Sequence, residues 1–296
     1  MNGYVRKNSI VRVAAVICIV ATLVLCFCCC TNGKKKEQNV SVMSWNVYGA
    51  EGDADACVLT MESALADVVC LQEVVPTAYE KIVNVFLQRN GNCSVCCSQV
   101  EEKVCRTPIL FNAAKLELLS EGAEVFAESY QGSSSKSVAW CVLKEKSSGA
   151  TFIAANMHGA VTRNKYQGMQ DYTQQELDEL ANVWRVANVR QAVGAINAQK
   201  AVWGNLPTFI AGDFNFTAES EPYRIITQFG YSDRVADEFK TTHVVGGLAE
   251  KGLAIDHIFI SDMCKFLQYQ AIRDETALLA SDHAPLVAKI IFAINA

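Results

Sequence analysis

Asp213 and Asn215 stand two residues apart just after the apolar run Phe209 to Ala211, and a carboxylate beside an amide has chemical uses. The Asp can orient or deprotonate a water and the Asn can donate to a developing oxyanion, as attack on a phosphorus centre requires. An Asx turn closing a strand accounts for the same pair without any chemistry. The pattern recurs, however. Asn46, Glu73, His158, Asp256, Asp282 and His283 also fall at or beside the ends of stretches that read as strands, and so many polar residues placed alike favour one shared site. Carboxylates and amides dominate the set, and such hard oxygen donors suit Mg2+ or Mn2+ better than zinc. Two histidines beside them suit proton transfer or neutralisation of a phosphoryl oxygen.

Such residues meet only if the elements that carry them deliver them to one place. The run Leu206 to Ala211 reads as a buried strand, with Gly212 letting the backbone turn sharply so that Asp213 and Asn215 sit on the emerging loop. Val40 to Trp45 reads as a strand ending at Asn46. Ala54 to Ala66 has apolar residues at helical spacing, and Val68 to Leu71 is a short strand ending in Gln72-Glu73. Tyr79 to Leu87 reads as an amphipathic helix with Ile82, Val83 and Phe86 on one face. Ile109 to Phe111 and Leu116 to Leu119 read as strands around a turn at Asn112 to Lys115, and Gly132 to Ser135 as a flexible break. Val138 to Leu143 and Thr151 to Ala155 give a hairpin signal, the second strand ending in Asn156-Met157-His158-Gly159. The spacing predicts a helix over Arg163 to Lys200, with Leu177, Leu180, Val183, Trp184, Ala187, Val193 and Ile196 as its apolar stripe. A short helix over Glu221 to Phe229, a strand over Ala254 to Ser261 and a closing strand over Leu286 to Ala293 complete the chain.

Composition narrows the partners. Apolar residues make up 51% of the 296, enough for a sizeable core. Six of the 26 basic residues, Arg6, Lys7, Arg12, Lys34, Lys35 and Lys36, lie in the first 36 positions, which hold no acid; the remainder sets 20 bases against 31 acids, a balance of -11. That argues against a broad groove tracking nucleic-acid phosphates, though a bound cation supplies positive charge locally. Val13 to Cys30 is an uncharged run of 18 residues with basic residues on both sides, about 27 Å long as a helix. It reads as an export signal, a lipoprotein signal around Cys26, Cys28, Cys29 and Cys30, or an uncleaved membrane anchor. The expected organisation is therefore an export or anchor segment over 1–31, a linker over 32–39 and one domain over 40–296. Eight cysteines lie beyond that segment. In an oxidising compartment Cys93, Cys96, Cys97 and Cys105 would pin a loop by disulfides, and zinc ranks lower because no nearby His or second CxxC completes four ligands.

Six segments, SWNV at 44–47, LQEV at 71–74, NMHG at 156–159, AGDFNF at 211–216, IDHIFIS at 255–261 and SDHAPLV at 281–287, resemble in type and order the metal-dependent endonuclease/exonuclease/phosphatase superfamily. Its members include deoxyribonuclease I, exonuclease III-type enzymes, neutral sphingomyelinases and inositol-polyphosphate phosphatases. RTPILF at 106–111 and VAW at 138–140 also look like its secreted bacterial branch. The resemblance implies an α/β, four-layer αββα sandwich with the site at one edge of two packed sheets. It implies that Glu73 is the principal Mg2+ (or Mn2+) ligand, supported by Asn46 and Asp282. Asp213 would orient or activate the attacking water and Asn215 steady it, Asp256 would hold His283 against the phosphoryl oxygen, and His158 would protonate the leaving oxygen. Cys105 stands where the deoxyribonuclease branch has a glutamate, so the usual support for His158 is missing. No WCDR-like segment of the inositol phosphatases is present either. The expected activity is that of an exported, membrane-tethered phosphodiesterase acting on nucleic acid, a phospholipid head group or a small organic phosphate. A phosphomonoesterase is the alternative, a non-catalytic binding module a further one, and no protein partner is implied.

Overall fold

The computed structural model describes residues 37–127, 136–162, 171–234, 242–244 and 252–294. The apolar segment Val13–Cys30, the break at Gly132–Ser135 and the expected start of a helix at Arg163 lie outside them.

Strand β1 (Glu37–Asn46) shows the rule that builds the domain. Val40 and Val42 face one way and Met43 and Trp45 the other, and all four are buried. A strand buried on both faces belongs to an inner layer, so something must cover each side. Helix α1 (Ala54–Ala64) follows, N-capped by Asp53, whose Oδ1 accepts from the Ala56 amide at 3.0 Å. Next come β2 (Val68–Gln72) and the helical run 76–89, α2, which opens on Pro76 and passes through a π-turn. Strand β3 (Cys93–Cys96), the small ribbon of β4 (Gln99–Val100) and β5 (Lys103–Val104), and β6 (Ile109–Asn112) precede β7 (Leu116–Val125). The hairpin of β8 (Ser137–Glu145) and β9 (Thr151–His158) leads to the long α3 (Gln174–Trp203), then β10 (Thr208–Asp213) and α4 (Glu221–Gln228). Three short strands, β11 (Tyr231–Ser232), β12 (His243–Val244) and β13 (Gly252–Leu253), are followed by β14 (Asp256–Ser261) and β15 (Cys264–Ala271), α5 (Glu275–Ala280) and β16 (Leu286–Ala293).

Two six-stranded sheets result, in the orders β15-β16-β1-β2-β6-β3 and β11-β14-β10-β9-β8-β7. Three separate apolar clusters show how they stack. The first lies between the sheets, with Val40, Val42 and Ile290 meeting Phe152, Phe209 and Ile258. The second puts Met43, Trp45 and Leu71 against Met61 of α1 and Ile82 and Phe86 of α2. The third puts Ile153, Ile210 and Phe259 against Val189, Val193 and Ile196 of α3 and Ile226 of α4. Three interlayer cores make four layers, the αββα sandwich expected from the motifs.

Several local expectations are corrected. The first strand starts at Glu37, inside the stretch read as linker. The turn expected at 112–115 is present, and since β6 belongs to one sheet and β7 to the other it carries the chain across the sandwich. Helix α3 begins at Gln174, because Thr173 and Glu176 form a capping box with bonds of 3.3 and 2.8 Å. Of the expected stripe Leu177, Val193 and Ile196 are buried while Val183 is exposed, and Ala181, Asn188 and Ala192 complete the buried face. Gly212 is not a turn but part of β10, paired with Met157 of β9. A Cβ there would stand 2.0 Å from the Met157 carbonyl oxygen, so glycine is needed for close strand approach. The eight cysteines beyond residue 36 are all free thiols, not the disulfides expected at Cys93, Cys96, Cys97 and Cys105. Four of these thiols are engaged by main-chain oxygens: Cys57 Sγ donates to Ala280 O, Cys264 Sγ to Thr208 O and Cys96 Sγ to Ile109 O, and Cys97 Sγ lies against Gly122 O and Trp140 O.

Candidate active site

Strand alternation explains which residues reach the site. In β1 the even positions face the other sheet, so after Val40 and Val42 come Ser44 and Asn46. The same face carries Val68, Cys70 and Gln72 in β2, and Phe152, Ala154, Asn156 and His158 in β9. It carries Phe209, Ala211 and Asp213 in β10, and Asp256, Ile258 and Ile260 in β14. Each strand is apolar along its middle and polar at one end. The parallel pairs β1–β2 and β9–β10 bring those ends to the same edge. Asp213 is the direct partner of His158 on one side and of Asp256 on the other, so three adjacent strands present one rung of ionisable groups.

A buried amide pair registers the two sheets. Gln72 Nε2 donates to Asn156 Oδ1 at 2.7 Å, and Asn156 Nδ2 donates to Leu71 O at 2.7 Å and Pro108 O at 3.1 Å. Glu73 follows Gln72 with φ +59, and His158 follows Asn156 by two, so this link sets the spacing of the acid on one sheet and the imidazole on the other. The segment 281–283 is pinned to β1: Ser281 Oγ donates to Asn46 O at 2.6 Å and Trp45 Nε1 to His283 O at 2.8 Å.

At the centre stands Asn46, 1% exposed. Its Nδ2 donates to Asp213 Oδ2 at 3.0 Å and Glu73 Oε1 at 3.2 Å, and lies 3.5 Å from His283 Nε2, while its Oδ1 accepts from the Tyr48 amide. His158 Nε2 is 3.5 Å from Asp213 Oδ2 and 3.8 Å from Glu73 Oε1. His283 Nδ1 bonds Asp256 Oδ2 at 2.8 Å, and its Nε2 is 3.8 Å from Asp213 Oδ2. Burial alone would lower the pKa of His283, but the carboxylates of Asp256, Asp213 and Asp282 prevail and push it up to about 10. Burial and then Asp256 hold Asp213 above the usual carboxylate range, partly offset by His283 and Lys136. Asn215, at φ +56, donates its amide N–H to Asp213 Oδ1 at 3.0 Å and its side chain to Gly159 O at 3.2 Å.

Six of the eight candidate residues, Asn46, Glu73, His158, Asp213, Asp256 and His283, therefore share this chain of contacts, with Asn215 attached through Asp213. Asp282 belongs to a neighbouring group: its Oδ2 is 3.4 Å from His243 Nε2 and its Oδ1 3.9 Å from His283 Nε2. Two residues escaped the sequence reading. Lys136, 4% exposed, contacts His158 Nε2 through its ammonium. His243 pairs with His283 in a β-bridge, its ring 4.7 Å from the His283 ring. Lys136 sits in a Ser-rich stretch and His243 in a short strand, so neither follows a long strand pattern. His257, by contrast, points to the outer face, where Asp233 at 2.6 Å and Phe216 O at 2.8 Å hold it in a structural role.

The residues fit a hard divalent cation. Ligand atoms of Glu73, His158 and Asp213 lie within 4.8 Å of one another, as do those of His243, Asp282 and His283. Asp282 Oδ1 is buried without a hydrogen-bond partner, an acceptor that a cation or its water would satisfy. Glu73 and Asp213 oxygens, each within 3.2 Å of one amide nitrogen, stand no more than about 6 Å apart. Two such charges repel by about 3 kcal/mol at an effective dielectric of 20, which a cation between them would relieve.

Comparison with known proteins agrees with the fold. Residues 43–283 match the model of the Endonuclease/Exonuclease/phosphatase family. No curated protein matches the chain. Among solved structures, an endonuclease/exonuclease/phosphatase family protein from Bacteroides thetaiotaomicron has TM-score 0.69 at 17% identity, covering 88% of this chain and 100% of that one. The mannosyl-6-phosphatase Bt3783 of the same organism has TM-score 0.64 at 17% identity, over 86% and 100%. D. rerio TDP2 complexed with a single-strand DNA product has TM-score 0.61 at 15% identity, over 86% and 99%. At these identities the likeness is one of fold.

Proposed function

The chain belongs to the endonuclease/exonuclease/phosphatase family of metal-dependent phosphoester hydrolases, and from that premise we propose that it is an exported phosphodiesterase using Mg2+ or Mn2+. The observation that carries the reading is the convergence of Asn46, Glu73, His158, Asp213 and His283, from two sheets, on contacts of 3.0 to 3.8 Å. Glu73 would hold the cation, with Asn46 and Asp282 in support, and the cation would polarise the phosphoryl oxygen.

The chain's own groups do the rest. Asp213, whose pKa burial raises, is the base that orients the water and takes its proton. Asn215 steadies the water or the phosphate. His283, kept cationic by Asp256, meets the charge that develops on the phosphoryl oxygens. His158 gives a proton to the leaving oxygen as the P–O bond breaks, and the Lys136 ammonium against its ring can return one.

Lys136 also favours a second reading, a monoesterase, because a dianionic phosphate calls for more positive charge than a diester. Turnover of bis(p-nitrophenyl) phosphate against p-nitrophenyl phosphate by the full chain separates the two, and either activity should vanish with EDTA and return with Mg2+. Undiminished turnover in excess EDTA would defeat the metal-dependent reading. The proposed substrates remain a small organic phosphate, a phospholipid head group or nucleic acid, the last disfavoured by the balance of -11. Export rests on the basic-flanked run Val13–Cys30, with the chain tethered to a membrane through it. No helix among the described residues is long and apolar enough to cross a membrane. Fractionation tests the tether: full-length chain should partition with membranes, and its recovery from the cytosol would refute export.

A further inference from the structure

We propose that Cys96, Cys97 and Cys141, with the carboxylate of Glu121, form a second metal site for a thiophilic cation such as Zn2+ or Cu+, tying the two sheets together where β3 meets β7 and β8. The sequence alone supplies only the adjacent pair Cys96-Cys97, and neighbours on a regular strand point to opposite faces. Cys97, however, lies just past β3 with φ +54, a left-handed conformation that non-glycine residues seldom adopt. With that turn in place, the Sγ atoms of Cys96 and Cys97 and a carboxylate oxygen of Glu121 all lie within 4.8 Å of one another.

The ladder places the fourth donor. Glu121 and Cys141 face each other across β7 and β8, and Gly122 and Trp140 are the next facing pair. Cys97 lies over that rung: its amide donates to Glu121 Oε2 at 2.6 Å, and its Sγ is 3.2 Å from both Gly122 O and Trp140 O. The Cys141 side chain faces the inter-sheet core, in the same buried cluster as Cys96 and Cys97.

A tetrahedral cation bonded to sulfur at about 2.3 Å sets its ligands roughly 3.8 Å apart, so closure by no more than about 1 Å brings Cys96, Cys97 and Glu121 onto one cation, with Cys141 as the fourth donor from the facing strand. Three sulfurs and one oxygen fill four positions, the closed set of a structural site rather than an open catalytic one. Thiolates prefer Zn2+ and Cu+ to Mg2+, so this site differs in class from the oxygen-rich centre at Glu73. Cys96, Cys97 and Cys141 are 1%, 5% and 0% exposed, but Glu121 is exposed on the edge strand and gives the cation an approach. Binding releases the three thiol protons to solvent.

The test uses the full chain, kept reduced, in a Glu73→Gln, Asp282→Asn background with excess Mg2+, which removes a carboxylate from the ligand groups at Glu73 and at Asp282 so that uptake by the thiols is counted apart. The chain is equilibrated with Zn2+ or, anaerobically, with Cu+, and bound metal is counted after gel filtration; a Co2+ sample is scanned for a sulfur-to-metal charge-transfer band. The expected result is one equivalent of Zn2+ or Cu+ and a cobalt–thiolate band. Both should be lost in Cys97→Ser and Cys141→Ser and kept in Cys57→Ser and Cys264→Ser. Glu121→Ala, a surface change that spares the core, should weaken Zn2+ binding at least about 10-fold, and it decides the matter if the core variants do not fold. Absence of a thiol-dependent equivalent, or affinity unchanged in Glu121→Ala, overturns the proposal. So does a disulfide among these cysteines in the isolated protein that, once reduced, still takes up no metal.

Discussion

Replacing Gly212 with alanine should damage stability and activity together, because this position sets the distance between the strands that carry Asp213 and His158. The added Cβ would stand 2.0 Å from Met157 O and 2.9 Å from Met157 C, main-chain atoms that cannot rotate away. Ordinary contact begins near 3.4 Å, so β9 and β10 must separate by roughly 1.4 Å. Ladder bonds near 2.9 Å would then stretch past the hydrogen-bond limit, and each buried group left unpaired costs about 1–3 kcal/mol. Gly212 also has φ +154, where a side chain adds strain of about 1–3 kcal/mol. With one such group the sum, about 2–6 kcal/mol, should lower the melting temperature of a domain this size by roughly 4–24 °C. Since Asp213 pairs with His158 one residue on, a displacement of about 1 Å should also cost about 100-fold in kcat/KM. Gly230, at φ +85 with nothing within 4 Å of its would-be Cβ, is the control: alanine there adds strain without a clash and should leave turnover alone. Calorimetry and turnover of bis(p-nitrophenyl) phosphate measure both effects. A Gly212→Ala enzyme melting within about 2 °C of the parent and turning over within about threefold would refute the reasoning.

His158→Ala should lose about 10²- to 10⁴-fold on a diester with an alkoxide leaving group and much less on an activated aryl diester, whose phenolate departs without a proton. Equal losses on both substrates would remove His158 from the acid role. His283 should be worth more to the metal-free fold at neutral than at alkaline pH. Its folded pKa, about 10, lies above the unfolded value near 6.5, so its contribution is complete below about pH 6.5 and fades as pH rises through 10. Denaturant unfolding of the EDTA-treated chain at pH 6, 8 and 10 should show that decline, flattened in His283→Gln; an identical slope in the variant would exclude the Asp256–His283 pair as its source.

What could be read in the sequence was whatever a strand makes local. Period-two alternation placed Asn46, His158, Asp213 and Asp256 at strand ends, and the same alternation puts them on the inner face. What could not be read depends on which strand lies beside which. The rung His158–Asp213–Asp256 needs β9, β10 and β14 side by side, and nothing in the 54 residues between His158 and Asp213 announces the first pairing. Gln72 and Asn156 looked like parts of motifs rather than the link that sets sheet against sheet, because their bond spans 84 residues. The turn at 112–115 has the composition of a hairpin loop, and only the packing of β6 and β7 into different sheets reveals the crossing. Gly212 looked like the end of a strand because a glycine that permits a turn and one that permits a close approach are the same letter. Cys96-Cys97 shows the limit most plainly: zinc ranked low because no nearby His or second CxxC completed four ligands, yet Glu121, more than 20 residues away and paired with Cys141 across the ladder, comes within 4.8 Å of both thiols. Local pattern thus determines which side chains can do chemistry, and strand register determines which of them do it together.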